Sequence, residues 1–316
     1  KIPTRPIKDL AEGHVKAIDY ALHHTGAEPI NLGTGNGSSV LEVVHAFEEA
    51  SGLTIKKEIV ARNMNAEEVV GVGIGVPGPV DDNGIVHKAV NLGWGKFNLV
   101  EAMTPMLRGF KIKGGNDANV AALGEMWKGA GQGKRNLVAV TLGTGIGGGI
   151  IIDGKLLNGA SGAGGEIGHI HVQDGEPEVC GCGNHGCLEQ YASATGVVRL
   201  ARRELERSTD ASPLRDAELS AKAVFDAVKA GDALAIRVAR TFGEYLGKGL
   251  AVIADVVNPE AFVIGGGVSK AGEMLFDYVK PAYAENVFHA SRDAEFVLAT
   301  LGNDAGIYGS AKLILD

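Results

Sequence analysis

Apolar positions in this chain recur at two spacings, and together they predict alternating strands and helices. Val69 to Val76 is a short apolar run. Pro77-Gly78-Pro79 closes it, since proline cannot donate to a sheet ladder. Leu137–Leu142 and Ile150–Ile152 flank a glycine-rich stretch as the two arms of a buried hairpin. Beyond Asp232, which is placed to cap a helix, Val238, Phe242, Leu246, Leu250 and Ile253 recur at helical spacing until Asn258-Pro259. Ala261–Ile264 then reads as a strand running into Gly265-Gly266-Gly267 and a helix. Residues 9–60 read as helix, strand, helix, strand. There Ser39 and Glu42 form a capping box ahead of Val40, Val43, Val44 and Phe47, and polar residues 62–65 mark a joint. The pattern predicts an α/β class.

Composition narrows this picture. A chain of 316 residues suits two domains or a two-lobed one, and 22% charged residues is ordinary for a globular protein. Glycine is the outlier at 47 residues, about twice the usual share, and it clusters at 71–78, 143–149, 162–168 and 265–267. Such clusters imply close backbone approaches at a few places. A net charge of -8 argues against a nucleic-acid or anionic-membrane surface. The uncharged stretch 137–152 is too short and too rich in glycine for a membrane span. All 3 cysteines fall within residues 180–187, which favours a reducing compartment and metal binding over a disulfide framework.

The candidate chemistry lies between residues 116 and 189. Cys180, Cys182 and Cys187, with glycines at 181, 183 and 186, have the spacing of a zinc knuckle. His169, His171 and His185 all compete for the fourth position, and the plain alternative is three reduced cysteines in a loop. A closed set of three cysteines and one histidine has no open position, so the metal would be structural. Asp117 beside Asn116 offers a carboxylate to deprotonate a hydroxyl and an amide to orient it, although Asn-Asp-Ala-Asn is also an ordinary helix start. Glu166 and Glu189 can each accept hydrogen bonds from a polyhydroxylated substrate, or can simply be solvated charges. Gly143-Thr144-Gly145 and Gly265-Gly266 are candidate phosphate and nucleotide loops, because backbone N–H groups attract anions. Gly33-Thr34-Gly35-Asn36-Gly37 lacks the spacing of a dinucleotide fingerprint.

From about residue 63 to the C-terminus the sequence resembles the ROK family of sugar kinases and sugar-responsive repressors, and within it the bacterial glucokinases. The matching segments are 76–81, Asn116–Asn119, 142–148, Gly164–His169, Cys180–Glu189 and 263–267. The resemblance implies an actin-like, ribonuclease-H-like fold with two lobes around a cleft. It implies ATP-dependent phosphorylation of a hexose, glucose first, with ATP and Mg²⁺ as cosubstrate. Asp117 would then be the base, Asn116, Glu166, His169 and Glu189 would hold the sugar, and Gly143–Gly145 would lie near the ATP phosphates. Zinc would sit on His169, Cys180, Cys182 and Cys187. A cytoplasmic homodimer is the implied assembly.

The resemblance breaks in the N-terminal part. The family's Asp-x-Gly-Gly-Thr phosphate motif does not occur in these 316 residues. Residues 9–60 instead resemble the C-terminal part of a UDP-glucose 4-epimerase, without its NAD-binding glycines or catalytic Tyr-Lys. The expected organisation is therefore an atypical segment, 1–62, ahead of a sugar-kinase region, 63–316, with its knuckle at 169–189. Such a chimera is expected to bind sugar better than it phosphorylates it. The alternatives are a sugar-sensing regulator and an inactive sugar-binding remnant.

Overall fold

The computed structural model describes residues 70–87, 94–105, 107 and 109–316. The helix–strand pattern of residues 9–60, its epimerase-like character and the joint at 62–65 lie outside these residues. The chain divides into two units, Lys1–Asn116 with Ser310–Asp316, and Asp117–Gly309.

In the first unit β1 (Gly71–Val76) ends at Pro77, as its sequence requires. The antiparallel pair β2 (Ile85–Val86) and β3 (Phe97–Asn98) leads into a short helix, α1 (Leu99–Met103). The Asn98 side chain caps α1 by accepting from the Glu101 amide. Strand β4 (Lys111–Asn116) lies parallel to β1, with Val76 opposite Asn116. Ile74, Val76, Val80, Val86, Leu99, Met103 and Leu107 form this unit's core.

The second unit opens with α2 (Asp117–Lys128), followed by β5 (Leu137–Leu142), β6 (Ile146–Ile152) and β7 (Lys155–Leu156). Next come α3 (Glu189–Ala192), α4 (Ala194–Arg207), α5 (Ala221–Lys229) and α6 (Ala233–Val257). Strand β8 (Ala261–Gly265), α7 (Met274–Asn286), β9 (Glu295–Leu298) and the start of α8 (Ala305–Leu315) complete the order, the helix from Ser310 on belonging to the first unit. The sheet order is β7-β6-β5-β8-β9, with β5, β8 and β9 parallel and β6 and β7 antiparallel to their neighbours. Strand β5 is buried nearly throughout, which is why its sequence reads as one apolar run. Helix α6 starts at its predicted cap, where Asp232 accepts from the Ala235 amide at 2.7 Å. It stops at Asn258, in the left-handed conformation, before Pro259.

The hairpin differs from its sequence reading in one respect. The turn is only residues 143–145, and Gly147, Gly148 and Gly149 are strand residues of β6. They serve close approach. A Cβ on Gly149 would lie 2.4 Å from Ala122 Cβ in α2, and one on Gly148 would lie 2.4 Å from Ile167 on the other face. Alternate residues of a strand face opposite sides, so α2 and the segment after β7 both press onto the same strand. The element after β8 differs too. Residues 268–271 form only a single 3₁₀ turn, which Gly272 ends with φ 89° before α7 begins.

The Gly149→Val variant should therefore overpack the α2–β6 contact and cost about 1–3 kcal/mol. Gly306→Ala, in α8 with nothing within 4 Å of the new Cβ, should be neutral or stabilising by up to about 1 kcal/mol. Urea midpoints of the two variants against the parent measure both effects.

Candidate functional site

The glycine-strand contact decides where the candidate residues fall. Helix α2 starts at Asp117, directly after β4, and the next residue, Ala118, lies 3.1 Å from the Cβ position of Gly147. Asp117 is exposed, and its Oδ1 accepts from the Ala118 amide at 2.8 Å. That is the behaviour of a helix start, but it leaves the carboxylate at the β6 end that carries the turn. Asn116, at the end of β4, is nearly buried, and its Nδ2 donates to the Gly78 carbonyl at 3.2 Å. The Pro77-Gly78 break after β1 thus fixes the amide that precedes the acid.

On the opposite face of β6, residues 164–169 fold over Gly148 and Ile146. Ile167 is buried and anchors the segment, while Glu166 stays exposed and His169 half-exposed. The two polar side chains turn toward each other, with Glu166 Oε2 at 3.9 Å from His169 Nε2. His169 Nδ1 faces the other way, 3.7 Å from Cys180 Sγ and 3.7 Å from Glu189 Oε1. One ring therefore has one nitrogen beside an exposed carboxylate and the other beside the cysteines.

The cysteine loop is a small hairpin. The Val172 amide donates to Gly186 and the Leu188 amide to Ile170, while the Cys180 amide donates to Asn184 across the tip. His169, Cys180, Cys182 and Cys187 each place one ligand atom within 4.8 Å of all the others. Cys182 and Cys187 sulfurs are 3.7 Å apart. Ligand bonds of about 2.0–2.3 Å in a tetrahedron give ligand–ligand edges of about 3.5–3.8 Å, which the His169–Cys180 and Cys182–Cys187 separations of 3.7 Å match. The other two histidines are engaged elsewhere. His171 bridges the His185 carbonyl and Asp174, an ion pair that raises its pKa, and His185 contacts the Glu176 carbonyl at 2.9 Å. Burial pushes the Cys180 thiol well up and Cys187 up as well. At Cys182 burial acts in the same sense but is outweighed by hydrogen bonds, first that of the Asn184 amide, and the thiol falls.

Glu189 joins the knuckle to the turn. Its Oε1 accepts from Cys180 Sγ at 2.9 Å and its Oε2 from the Ile146 amide at 3.4 Å, at the start of β6. The turn itself is tied down by α4, where the Ala194 amide donates to Gly143 O and Thr195 Oγ1 to Thr144 O, at 2.8 and 2.7 Å. The second glycine run lies beside it, because β5 and β8 are parallel with Thr141 opposite Gly265. Gly266 has φ 86°, and its Cβ position is 2.6 Å from the Leu142 carbonyl, so only glycine fits there. Gly143–Gly145 and Gly265–Gly266 therefore share the carboxyl end of adjacent strands, the edge where open α/β sheets take ligands.

Sequence reasoning missed Glu176. This carboxylate is buried, between His169 and Cys180 in the chain. Arg203 reaches it with two nitrogens, at 2.9 and 3.2 Å, and Arg199 approaches at 3.3 Å. The Tyr191 hydroxyl donates a further short hydrogen bond, and the Glu178 amide another at 3.1 Å. Burial alone would raise the Glu176 pKa, but these donors outweigh it and hold the carboxyl at about 2. The missing signal was pairing: Arg199 and Arg203 sit four apart on one helix face, and no local pattern says which acid they meet.

The ROK family model matches residues 42–316, and the chain belongs to the ROK family. A glucokinase of Halalkalibacterium halodurans is 42% identical over 266 residues, covering 82% of this chain and 80% of that protein. A xylose repressor of Caldicellulosiruptor bescii is 31% identical, covering 83% of this chain and 66% of the repressor. The crystal structure of a ROK glucokinase from Streptomyces griseus with glucose and AMPPNP superposes with a TM-score of 0.66 at 36% identity, over 78% of this chain and 81% of that one. The fold is the actin-like, ribonuclease-H-like α/β fold of ROK sugar kinases. Among the described residues no helix is long and apolar enough to cross a membrane.

The Glu176 cluster predicts a pH signature. A carboxyl held near 2 when folded and near 4.5 when unfolded stabilises the fold fully above about pH 4.5 and loses that contribution as pH falls toward 2. Glu176→Gln should cost about 3 kcal/mol at pH 7, because it breaks a buried pair. The stability gap between parent and variant should narrow on acidification below pH 4.5, as measured by urea unfolding at a series of pH values.

Proposed function

We propose that this protein is a glucokinase-type sugar kinase that transfers the γ-phosphoryl group of ATP to glucose. The observation that carries this reading is the grouping on β6. The helix that begins at Asp117 packs on one face, the segment that carries Glu166 and His169 packs on the other, and Glu189 is hydrogen-bonded at the strand's start beside the glycine turn. Phosphoryl transfer leaves little covalent chemistry to the protein and depends on positioning and on charge stabilisation. In this reading Asp117 takes the proton from the attacking sugar hydroxyl, and Asn116 orients the same hydroxyl. Glu166, Glu189 and the Nε2 side of His169 accept from or donate to the other hydroxyls. The turns at Gly143–Gly145 and Gly265–Gly266 offer backbone N–H groups to the nucleotide, which carries Mg²⁺.

His169, Cys180, Cys182 and Cys187 hold one Zn²⁺ in this reading. A closed three-cysteine, one-histidine set makes the metal structural: it joins the segment of Glu166 to that of Glu189. A cytoplasmic homodimer and the division into 1–62 and 63–316 complete the proposal. The family's regulators share this sugar-binding part, but the paired glycine turns at the strand ends favour a nucleotide-using enzyme.

The assay is ADP release over a panel of hexoses on the purified chain, with glucose affinity measured separately by calorimetry. Glucose should give the highest kcat/KM, and absence of both glucose binding and turnover would defeat the reading. Asp117→Ala should lower kcat by about 10²–10⁴-fold with the glucose Kd little changed, because a general base acts on the chemical step. Glu189→Gln should weaken glucose binding instead.

Metal analysis should find one zinc per chain in protein purified without chelator. Cys182→Ser should lose it and lose order in the 170–190 loop, read as faster hydrogen exchange there, since structural zinc contributes on the order of 10 kcal/mol of folding energy.

A further inference from the structure

Between His169 and Cys180 the chain makes an excursion to Glu176, whose environment is unlike that of the exposed acids around it. Its carboxylate is met by Arg199 and Arg203 from α4 and by Tyr191 from α3. Arg203 also binds Glu178 at 2.8 Å. The Glu178 carbonyl accepts from Gln190 Nε2, and Gln190 Oε1 accepts from the Cys187 amide, both at 3.0 Å. The Glu176 carbonyl takes His185 Nδ1 at the tip of the hairpin. Arg199 lies over the Tyr191 ring, 4.7 Å from its centroid, and that ring stacks on Tyr245 of α6 at 3.9 Å.

These bonds have a common geometry. One arm holds the chain before Cys180, through Glu176 and Glu178. The other holds the chain after Cys187, through Gln190 and Tyr191 of the single-turn helix α3. Glu189 begins that turn, next to Gln190 and two residues before Tyr191. A cleft of about 280 Å³ opens beside the cluster, lined among others by Glu176, Tyr191, Arg203 and Tyr245. Beside the cleft, directed polar bonds therefore supplement the apolar packing of Tyr191 against Tyr245 and the core. Charge-assisted bonds of this kind fix both distance and angle.

We infer that Glu176 and Arg203 are positioning residues for sugar recognition. They clamp the two limbs of the knuckle onto α4 and so set the aim of His169 and Glu189, without touching the substrate. The inference rests on the reading that His169 and Glu189 bind the sugar. It separates the sugar subsite from the nucleotide subsite: the glycine turns are fixed by β5, β8 and the first residues of α4, which the clamp leaves in place.

The test is calorimetry of glucose and, separately, of AMPPNP on the full chain carrying Arg203→Met, Arg203→Lys or Glu176→Gln. Arg202→Met, on the exposed side of α4, is the control. Loss of the outer-shell groups that orient metal ligands typically costs about 10–100-fold, and a positioning clamp on the same limbs should act on that order. Arg203→Met should raise the glucose Kd by at least about tenfold, leave the AMPPNP Kd within about twofold, and keep one zinc per chain. Arg203→Lys restores the charge but not the two-pronged bond, and should fall between parent and Arg203→Met. It also serves if Glu176→Gln is too unstable to purify. An unchanged glucose Kd in folded variants, equal loss of glucose and AMPPNP binding, or loss of zinc would each overturn the inference. Failure of the parent chain itself to bind glucose would show instead that the underlying reading is wrong, and the inference would fall with it.

Discussion

The approach of two segments onto the two faces of β6 is the contact on which the rest of the site depends. Three consecutive strand residues have no side chain, so α2 reaches one face and the 164–169 segment reaches the other. A Cβ at Gly148 or Gly149 would come within 2.4 Å of Ile167 or Ala122 and force that segment outward. Asp117 and Glu166 belong to the displaced segments, so the carboxylates would move with them. In the proposed role of these residues, catalytic geometry tolerates little such displacement.

The knuckle adds a second constraint of a different kind. It carries no reacting group, yet it joins the segment ending in His169 to the one beginning at Glu189. His169 stands at the junction, with one ring nitrogen toward the cysteines and the other toward Glu166. In the proposed reading the metal ligands and the sugar contacts share this imidazole, and orienting one nitrogen orients the other. Behind it, Glu176 and the arginines of α4 hold both limbs with charged hydrogen bonds.

The comparison of sequence and structure turns on range. The cysteine cluster was legible because Cys180, Cys182, Cys187 and their glycine turns fall within a short stretch, where spacing is itself geometry. The cap at Asp232, the strand end at Pro77 and the buried run of β5 were legible for the same reason. The exact turn of the hairpin was not, since glycine marks a loop and a close approach alike, and only the neighbouring elements distinguish them. Here Gly147–Gly149 meet Ala122 and Ile167, so they belong to the strand.

The sequence by itself determined the class of fold and the family, because these depend on local periodicity and on motifs a few residues long. Only the tertiary structure decided among His169, His171 and His185 at the cysteines, since all three are close in sequence but two are drawn away by Asp174 and by backbone carbonyls. Only it paired Glu176 with Arg199 and Arg203, across 23 and 27 residues, and placed the 143–145 and 265–266 turns side by side. Such long-range choices are settled by sheet register and by the cost of burying a charge without a partner, and neither is written in any short stretch of the chain.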